Sequence, residues 1–236
     1  EYDKDIWATY RHNHPQTNLV QRSILDVKST TIPDCDGLIG GPPCQSWSAA
    51  GSHRGIDDPR GKLFFEYIRV LRHKKPKFFV AENVKGMLNK KNAEAFENIK
   101  QQLKDTGYRI YCKLLNSYDY EVPQDRYRVI IVGIRKDLDI TFTFPTAIEK
   151  KVNLEDAIQD LHEKYPAVAS KSTEKKKNIS NREEWNFLNH EYFVGSYSSH
   201  FMSRNRVRKW DQGSFTVLAG GRHTPLHPQA PPMEKV

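Results

Sequence analysis

Cys44, Glu82, Arg126 and Arg128 are the residues whose types and spacing could carry out chemistry. A thiolate is a strong nucleophile, and neighbouring guanidinium groups lower a thiol's pKa. A carboxyl group can protonate or hydrogen-bond a ring nitrogen, and an arginine can hold a ring carbonyl. Together the four make a kit for attacking an electron-poor heterocycle. Each also has a plainer reading. A free cysteine is most often a small buried hydrophobe, Glu82 fits a solvated loop, and Arg126 with Arg128 fits an ordinary surface pair. Against this, Gly-Gly-Pro-Pro-Cys-Gln at 40–45 is a poor core sequence. Its glycines allow a sharp turn and its prolines stiffen the backbone leading into the cysteine, so the thiol is held still.

The surrounding pattern says what must position these groups. The apolar run 36–40 reads as a buried strand that delivers the cysteine loop. Residues 45–62 form a long loop rich in Gly, Ser and Asp, as in a hinged lid. Leu63, Phe64, Tyr67, Ile68, Val70 and Leu71 recur at helical spacing, predicting a helix over 63–73. Phe78 to Ala81 is a second strand that delivers Glu82. A polar helix over 91–106 ends at Gly107, strands come next at 109–115 and 129–134, and a last helix spans 153–161. A short helix over 5–12 precedes them all. Alternating strands and helices predict an α/β fold with a parallel, doubly wound sheet, and ligands bind such sheets at the strand C-termini. The interval between Cys44 and Glu82 fits one helical crossover. Residues 162–186 are polar and lysine-rich, and 187–236 are irregular with one strand at 214–219. This divides the chain into a catalytic domain at 1–165 and a smaller domain at 166–236.

Composition narrows the class. The formal charge is +8 and the pI about 9.3, which suits a polyanionic partner. Mean hydropathy is −0.74, and no apolar run is long enough to cross a membrane. Three cysteines without CxxC spacing speak against a disulfide framework or a zinc site and for a reducing cytoplasm.

Gly-Pro-Pro-Cys-Gln at 41–45, Glu-Asn-Val at 82–84 and Gln-Asp-Arg-Tyr-Arg at 124–128 resemble three signature blocks of the cytosine-5 DNA methyltransferases, in the family's order. The likeness also runs through Asp57–Gly61 and Lys62–Phe65. It implies a Rossmann-like sheet that uses S-adenosylmethionine, double-stranded DNA as partner, no metal, and a bacterial cytoplasmic setting. It further implies that Cys44 adds to carbon 6 of a flipped cytosine, Glu82 contacts N3 and the amino group, and Arg128 holds the carbonyl oxygen. Arg126 would support the cysteine loop. Glu1 would bind the cofactor ribose, Tyr2 would pack on adenine, and Ile24, Pro42 and Leu63 would line the same pocket. The acid expected near the adenine amino group falls at Ser23, with Asp26 nearby. Gln45, Ser46, Ser48 and Arg60 would face DNA.

Basic residues then mark target recognition. Arg204, Arg206 and Arg208 alternate, so an extended segment puts all three on one face; Arg222 comes after a strand. Arginine reads guanine as a bidentate pair. The stretches 201–210 and 226–231 resemble members that methylate within GGCC, so a GC-only target is expected, read by Arg206 and Arg222. The family's Phe-x-Gly-x-Gly block would precede Glu1, and its C-terminal blocks would come after Val236. The chain is therefore expected to be a fragment, or one part of a split enzyme whose second polypeptide carries the rest, with negligible activity alone. A tRNA cytosine-5 methyltransferase and a non-catalytic DNA-binding subunit remain as alternatives.

Overall fold

The computed structural model describes residues 1–43, 59–164, 168–170, 191–193, 207–217 and 227–229. Two compact units divide the chain: Glu1–Leu114 with Arg128–Pro145, and Leu115–Tyr127 with Thr146–Val236.

The first unit is built on a four-stranded sheet of order β1-β2-β5-β3, with β1 at Gly37–Gly40, β2 at Phe78–Val84, β3 at Tyr108–Asn116 and β5 at Tyr127–Arg135. Helix α1 spans Lys4–Asn13, and Asp3 caps it by accepting from the Asp5 N–H at 3.0 Å. Helix α2 spans Pro59–Lys74. It begins four residues before the start predicted from periodicity, because a proline is at home in a helix's first turn and its charged neighbours carry no apolar signal. Phe64, Ile68 and Leu71 bury one face of α2. Helix α3, Ala93–Lys104, buries Phe96, Ile99 and Leu103 and is followed by Gly107 at φ +96°. These side chains form one apolar cluster with Phe79 and Ala81 of β2, Tyr108 of β3, and Val129 and Ile131 of β5.

The expected α/β class holds, but the sheet is mixed. β1 and β2 are parallel, with Gly40 opposite Ala81, whereas β2 and β5 are antiparallel, with Val84 opposite Arg128. The reason lies in the connections. Residues 117–126 hold only a 3-10 turn at Ser117–Tyr120 and the two-residue strand β4, Gln124–Asp125. A parallel return needs a crossover of a dozen residues or more.

In the second unit, β4 pairs in parallel with β8, Ser214–Phe215. Helix α4 spans Leu154–Lys164 and opens with a reciprocal cap: Asp156 N–H donates to Asn153 Oδ1 at 2.9 Å, and Asn153 N–H to Asp156 Oδ2 at 3.1 Å. A further parallel pair joins β6, Val168–Ser170, to β7, Glu191–Phe193. Among the described residues, no helix is long and apolar enough to cross a membrane.

Candidate active site

The C-terminal ends of β1 and β2 lie side by side, so the backbone after Gly40 runs past Glu82 and Asn83. Asn83 is buried, and its Nδ2 donates to the Pro42 carbonyl at 3.0 Å. Its Oδ1 accepts from the Val84 N–H at 2.9 Å. One amide side chain thereby ties the Pro-Pro turn to the second strand. A Cβ added at Gly41 would stand 3.5 Å from Glu82 Oε2, so the glycine brings the turn directly against that carboxylate. Gly40 has no such room: a Cβ there would meet the Tyr67 ring at 2.8 Å. The Tyr67 hydroxyl donates to the Val80 carbonyl at 3.1 Å, with the Leu38 carbonyl at 3.3 Å, which holds β1 and β2 together from outside the sheet. Burial pushes the Tyr67 phenol well above its ordinary value.

Side chains alternate across a strand, so Glu82 lies on the face opposite to Phe79, Ala81 and Asn83. Arg128, the second residue of β5, lies on that same face, diagonal to Glu82 in the antiparallel register. Arg128 Nε and Glu82 Oε1 form an ion pair at 2.6 Å, with the arginine more buried than the glutamate. The guanidinium is thus fixed beside the carboxylate, at the edge where the Pro-Pro turn arrives.

Arg126 belongs to the second unit. Its backbone N–H donates to Asn116 Oδ1 at 2.9 Å, and its carbonyl accepts from the Ser117 N–H at 3.1 Å. Arg208 Nη2 donates to Asp125 Oδ2 at 2.9 Å. Arg60 lies in the first turn of α2. Cys44, Gln45, Ser46, Ser48, Arg204, Arg206 and Arg222 lie outside the described residues, as does most of the predicted lid.

A cleft of about 380 Å³ opens on the first unit beside the Pro-Pro turn, and Glu1, Tyr2, Ile24, Pro42 and Leu63 all line it. That volume suits a nucleoside-sized ligand. Tyr2, Ile24, Leu63 and Pro42 offer apolar walls for a base. Glu1 offers a carboxylate for vicinal hydroxyls, and its Oε1 is anchored by the Asp3 N–H at 2.8 Å. Ser23, not Asp26, lines the same cleft. The donor set therefore fits S-adenosylmethionine, and among the described residues no cluster of metal-ligating side chains competes with it.

Arg69 was not singled out by the sequence. Its Nε donates to Glu66 Oε2 at 2.7 Å and its Nη2 to the carbonyls of Val27 at 2.9 Å and Ile24 at 3.2 Å. It fastens the segment carrying Ile24 to α2, while Glu66 lines the cleft. No spacing rule reveals such a contact. Asn83, by contrast, sits inside the Glu-Asn-Val block, and its place there was the available signal.

Comparison with known proteins fits this geometry. The family model for the C-5 cytosine-specific DNA methylases matches residues 1–235. Type II methyltransferase M.FnuDI of Fusobacterium nucleatum is 54% identical over 239 residues, covering 100% of this chain and 67% of that protein. Type II methyltransferase M.NgoPII of Neisseria gonorrhoeae is 51% identical, covering 100% of this chain and 68% of that protein. A crystal structure of a DNA modification methyltransferase encoded within an E. coli prophage superposes with a TM-score of 0.56 at 27% identity, over 67% of this chain and 46% of that one. The chain thus spans about two thirds of the length of these curated relatives, and it belongs to the C-5 cytosine-specific DNA methylase family.

Proposed function

We propose that the chain carries the catalytic core of a restriction-modification DNA methyltransferase acting on carbon 5 of a flipped cytosine in double-stranded DNA, within GGCC. Residues 1–165 would serve catalysis and 166–236 target recognition. The observation that carries this reading is the meeting of Glu82, Arg128 and the Pro-Pro turn at one edge of the sheet. S-adenosylmethionine, when bound, supplies an electrophilic methyl group; Glu1, Tyr2, Ile24, Pro42 and Leu63 are the residues to hold it.

Cys44 comes after Pro43 in the chain, directly beyond the turn that Asn83 fixes. Its thiolate adds to carbon 6 of the cytosine, forming a C–S bond and moving the electron pair of the 5,6 double bond to carbon 5. Glu82 shares a proton with N3, over which that pair is delocalised through carbon 4. Arg128, held by Glu82, hydrogen-bonds the carbonyl oxygen, a contact that the point charge of a lysine would make less directionally. After carbon 5 is methylated it gives up its proton to solvent water, the C–H electron pair reforms the 5,6 double bond and the C–S bond breaks, returning the thiolate. Arg206 and Arg222 are the proposed readers of guanine, with Arg204 beside them; Gln45, Ser46, Ser48 and Arg60 are the proposed contacts to the DNA around the flipped base.

The test uses the full-length protein and duplexes containing GGCC with 5-fluorocytosine at each candidate position. Fluorine cannot leave as a proton, so a covalent protein–DNA adduct should accumulate, and Cys44→Ala should abolish it. Methylated-site sequencing of a randomised pool should return GGCC, and Arg206→Ala or Arg222→Ala should relax one base pair, at a cost of about 1–3 kcal/mol. An adduct that survives Cys44→Ala, or methylation of tRNA in place of duplex DNA, overturns the reading.

A further inference from the structure

Alternation in the sequence sends Arg208 toward DNA together with Arg204 and Arg206, but its guanidinium is engaged within the protein. Nη2 donates to Asp125 Oδ2 at 2.9 Å, and the guanidinium carbon lies 3.9 Å above the Phe215 ring. The two charged side chains retain only 25% and 30% of their exposure. Stacking on an aromatic face and pairing with a carboxylate are the two contacts that suit a planar guanidinium best.

Asp125 is itself a junction. Its Oδ1 accepts from Asn116 Nδ2 at 3.0 Å, and Asn116 Oδ1 accepts from the backbone N–H of Arg126 at 2.9 Å. Its carbonyl accepts from Thr216 Oγ1 at 2.7 Å, and the backbone pairing of β4 with β8 sets Asp125 opposite Phe215. Arg208, Phe215 and Thr216 therefore grip the strand that leads into Arg126, and Arg128 comes two residues later.

We propose that Arg208 is a positioning residue. Acting through Asp125, it holds the backbone of Gln124–Arg126 in register and so ties residues 207–216 to the strand that leads into the arginine pair; it does not contact a base or a phosphate. The proposal rests on the reading of the chain as a cytosine-5 methyltransferase. A guanidinium whose charge is matched by Asp125 and whose face is covered by Phe215 has little left to offer a phosphate. The basic segment is then divided in its work: Arg204 and Arg206 are left for DNA, while Arg208 turns inward.

The experiment uses the full-length protein with the variants Arg208→Met, Arg208→Lys, Asp125→Asn and the Arg208→Met/Asp125→Asn double variant. Wild-type protein that transfers no methyl group to duplex cytosine overturns the underlying reading, separately from the role of Arg208. With wild-type activity in hand, Arg208→Met should slow single-turnover methylation by roughly tenfold or more, the penalty of a misplaced catalytic group. Asp125→Asn should do the same, and the double variant should be no slower than the worse single one. Arg208→Lys should recover part of the rate. Duplex affinity should keep the wild-type salt slope, and sequencing of methylated sites should return the wild-type target. A salt slope reduced by about one marks a phosphate contact, and relaxation at one base pair marks a base contact. Either result, or additive effects of the two single variants, overturns the proposal. Affinity for S-adenosylhomocysteine serves as the folding control. Should Arg208→Met fail it, Asp125→Asn, which preserves size, carries the same expectations.

Discussion

Glu82 and Arg128 come from strands running in opposite directions, and their charged atoms lie 2.6 Å apart. The direction matters. Arg128 stands at the start of its strand, whereas Glu82 stands near the end of its own. Had all the strands been parallel, the start of β5 would have lain at the opposite edge of the sheet. The antiparallel return is what carries the arginine to the Pro-Pro turn.

Arg128→Lys and Glu82→Gln should each lower the single-turnover rate of methyl transfer by about 10²–10⁴-fold, the range for a positioned acid–base group. Lysine keeps the charge but loses the planar fork that one carboxylate and one carbonyl can share. Because the groups act as a unit, Glu82→Gln combined with Arg128→Lys should cost much less than the product of the single effects. Rapid-quench measurement with a tritiated methyl donor gives all three rates; fully multiplicative losses would show that the pair is not coupled.

Asn83→Leu should destabilise the first unit by about 1–3 kcal/mol, since it leaves the Pro42 carbonyl without its buried donor. Asn83→Asp should be worse, as it sets an acceptor against that carbonyl. Urea unfolding of the three proteins orders them. If Asn83→Asp proves as stable as the wild type, the side-chain amide does not hold the turn.

Much of this was legible in the sequence, for physical reasons that differ by element. Periodicity exposes α2 because it buries one stripe, Phe64–Ile68–Leu71. The 91–106 segment reads as a polar surface helix ended by Gly107, whereas α3 buries Phe96, Ile99 and Leu103 in the core, three apolar positions that its many charged neighbours mask. The five cleft residues are far apart in the chain and line one cavity, and no local pattern singles them out; only the family resemblance does. Strand direction was not legible: residues 129–134 read the same in either orientation, and only the short 117–126 link decides. The fate of Arg208 was hidden too, because alternation reports which face a side chain takes but not which carboxylate waits there. Arg69 shows the same limit, since its partners at 24–29 are distant in sequence.

Tyr108 offers a test by pH. It is fully buried, and its hydroxyl donates to the Pro76 carbonyl at 2.7 Å. Burial pushes its phenol from an ordinary 10.0 up to about 12. The folded state thus holds this proton to higher pH than the unfolded chain does. Its contribution is complete below about pH 10 and is lost as pH rises toward 12. Tyr108→Phe should flatten the fall in stability across that window, while costing about 1 kcal/mol at neutral pH from the orphaned carbonyl. Urea midpoints from pH 7 to 11 decide it; an unchanged alkaline slope would place the titration elsewhere.

Glu121 carries the last expectation. It closes the Ser117–Tyr120 turn in the left-handed region, at φ 62° and ψ 17°, and its side chain is exposed. A non-glycine residue there costs about 1–2 kcal/mol, and no partner of the carboxylate among the hydrogen bonds and ion pairs of the described residues offsets it. Glu121→Gly removes that cost but frees the unfolded chain by about 0.4–1 kcal/mol. The net gain should be about 0.5–1 kcal/mol, with Glu121→Asn close behind because asparagine tolerates this conformation. Glu121→Val should destabilise, since a β-branched side chain fits the left-handed region worst. At Gly107, already at φ +96°, the sign reverses and Gly107→Ala should lower the melting temperature. Thermal melts of the four variants measure the order. Should Glu121→Val melt above Glu121→Gly, the backbone at 121 is not left-handed in solution.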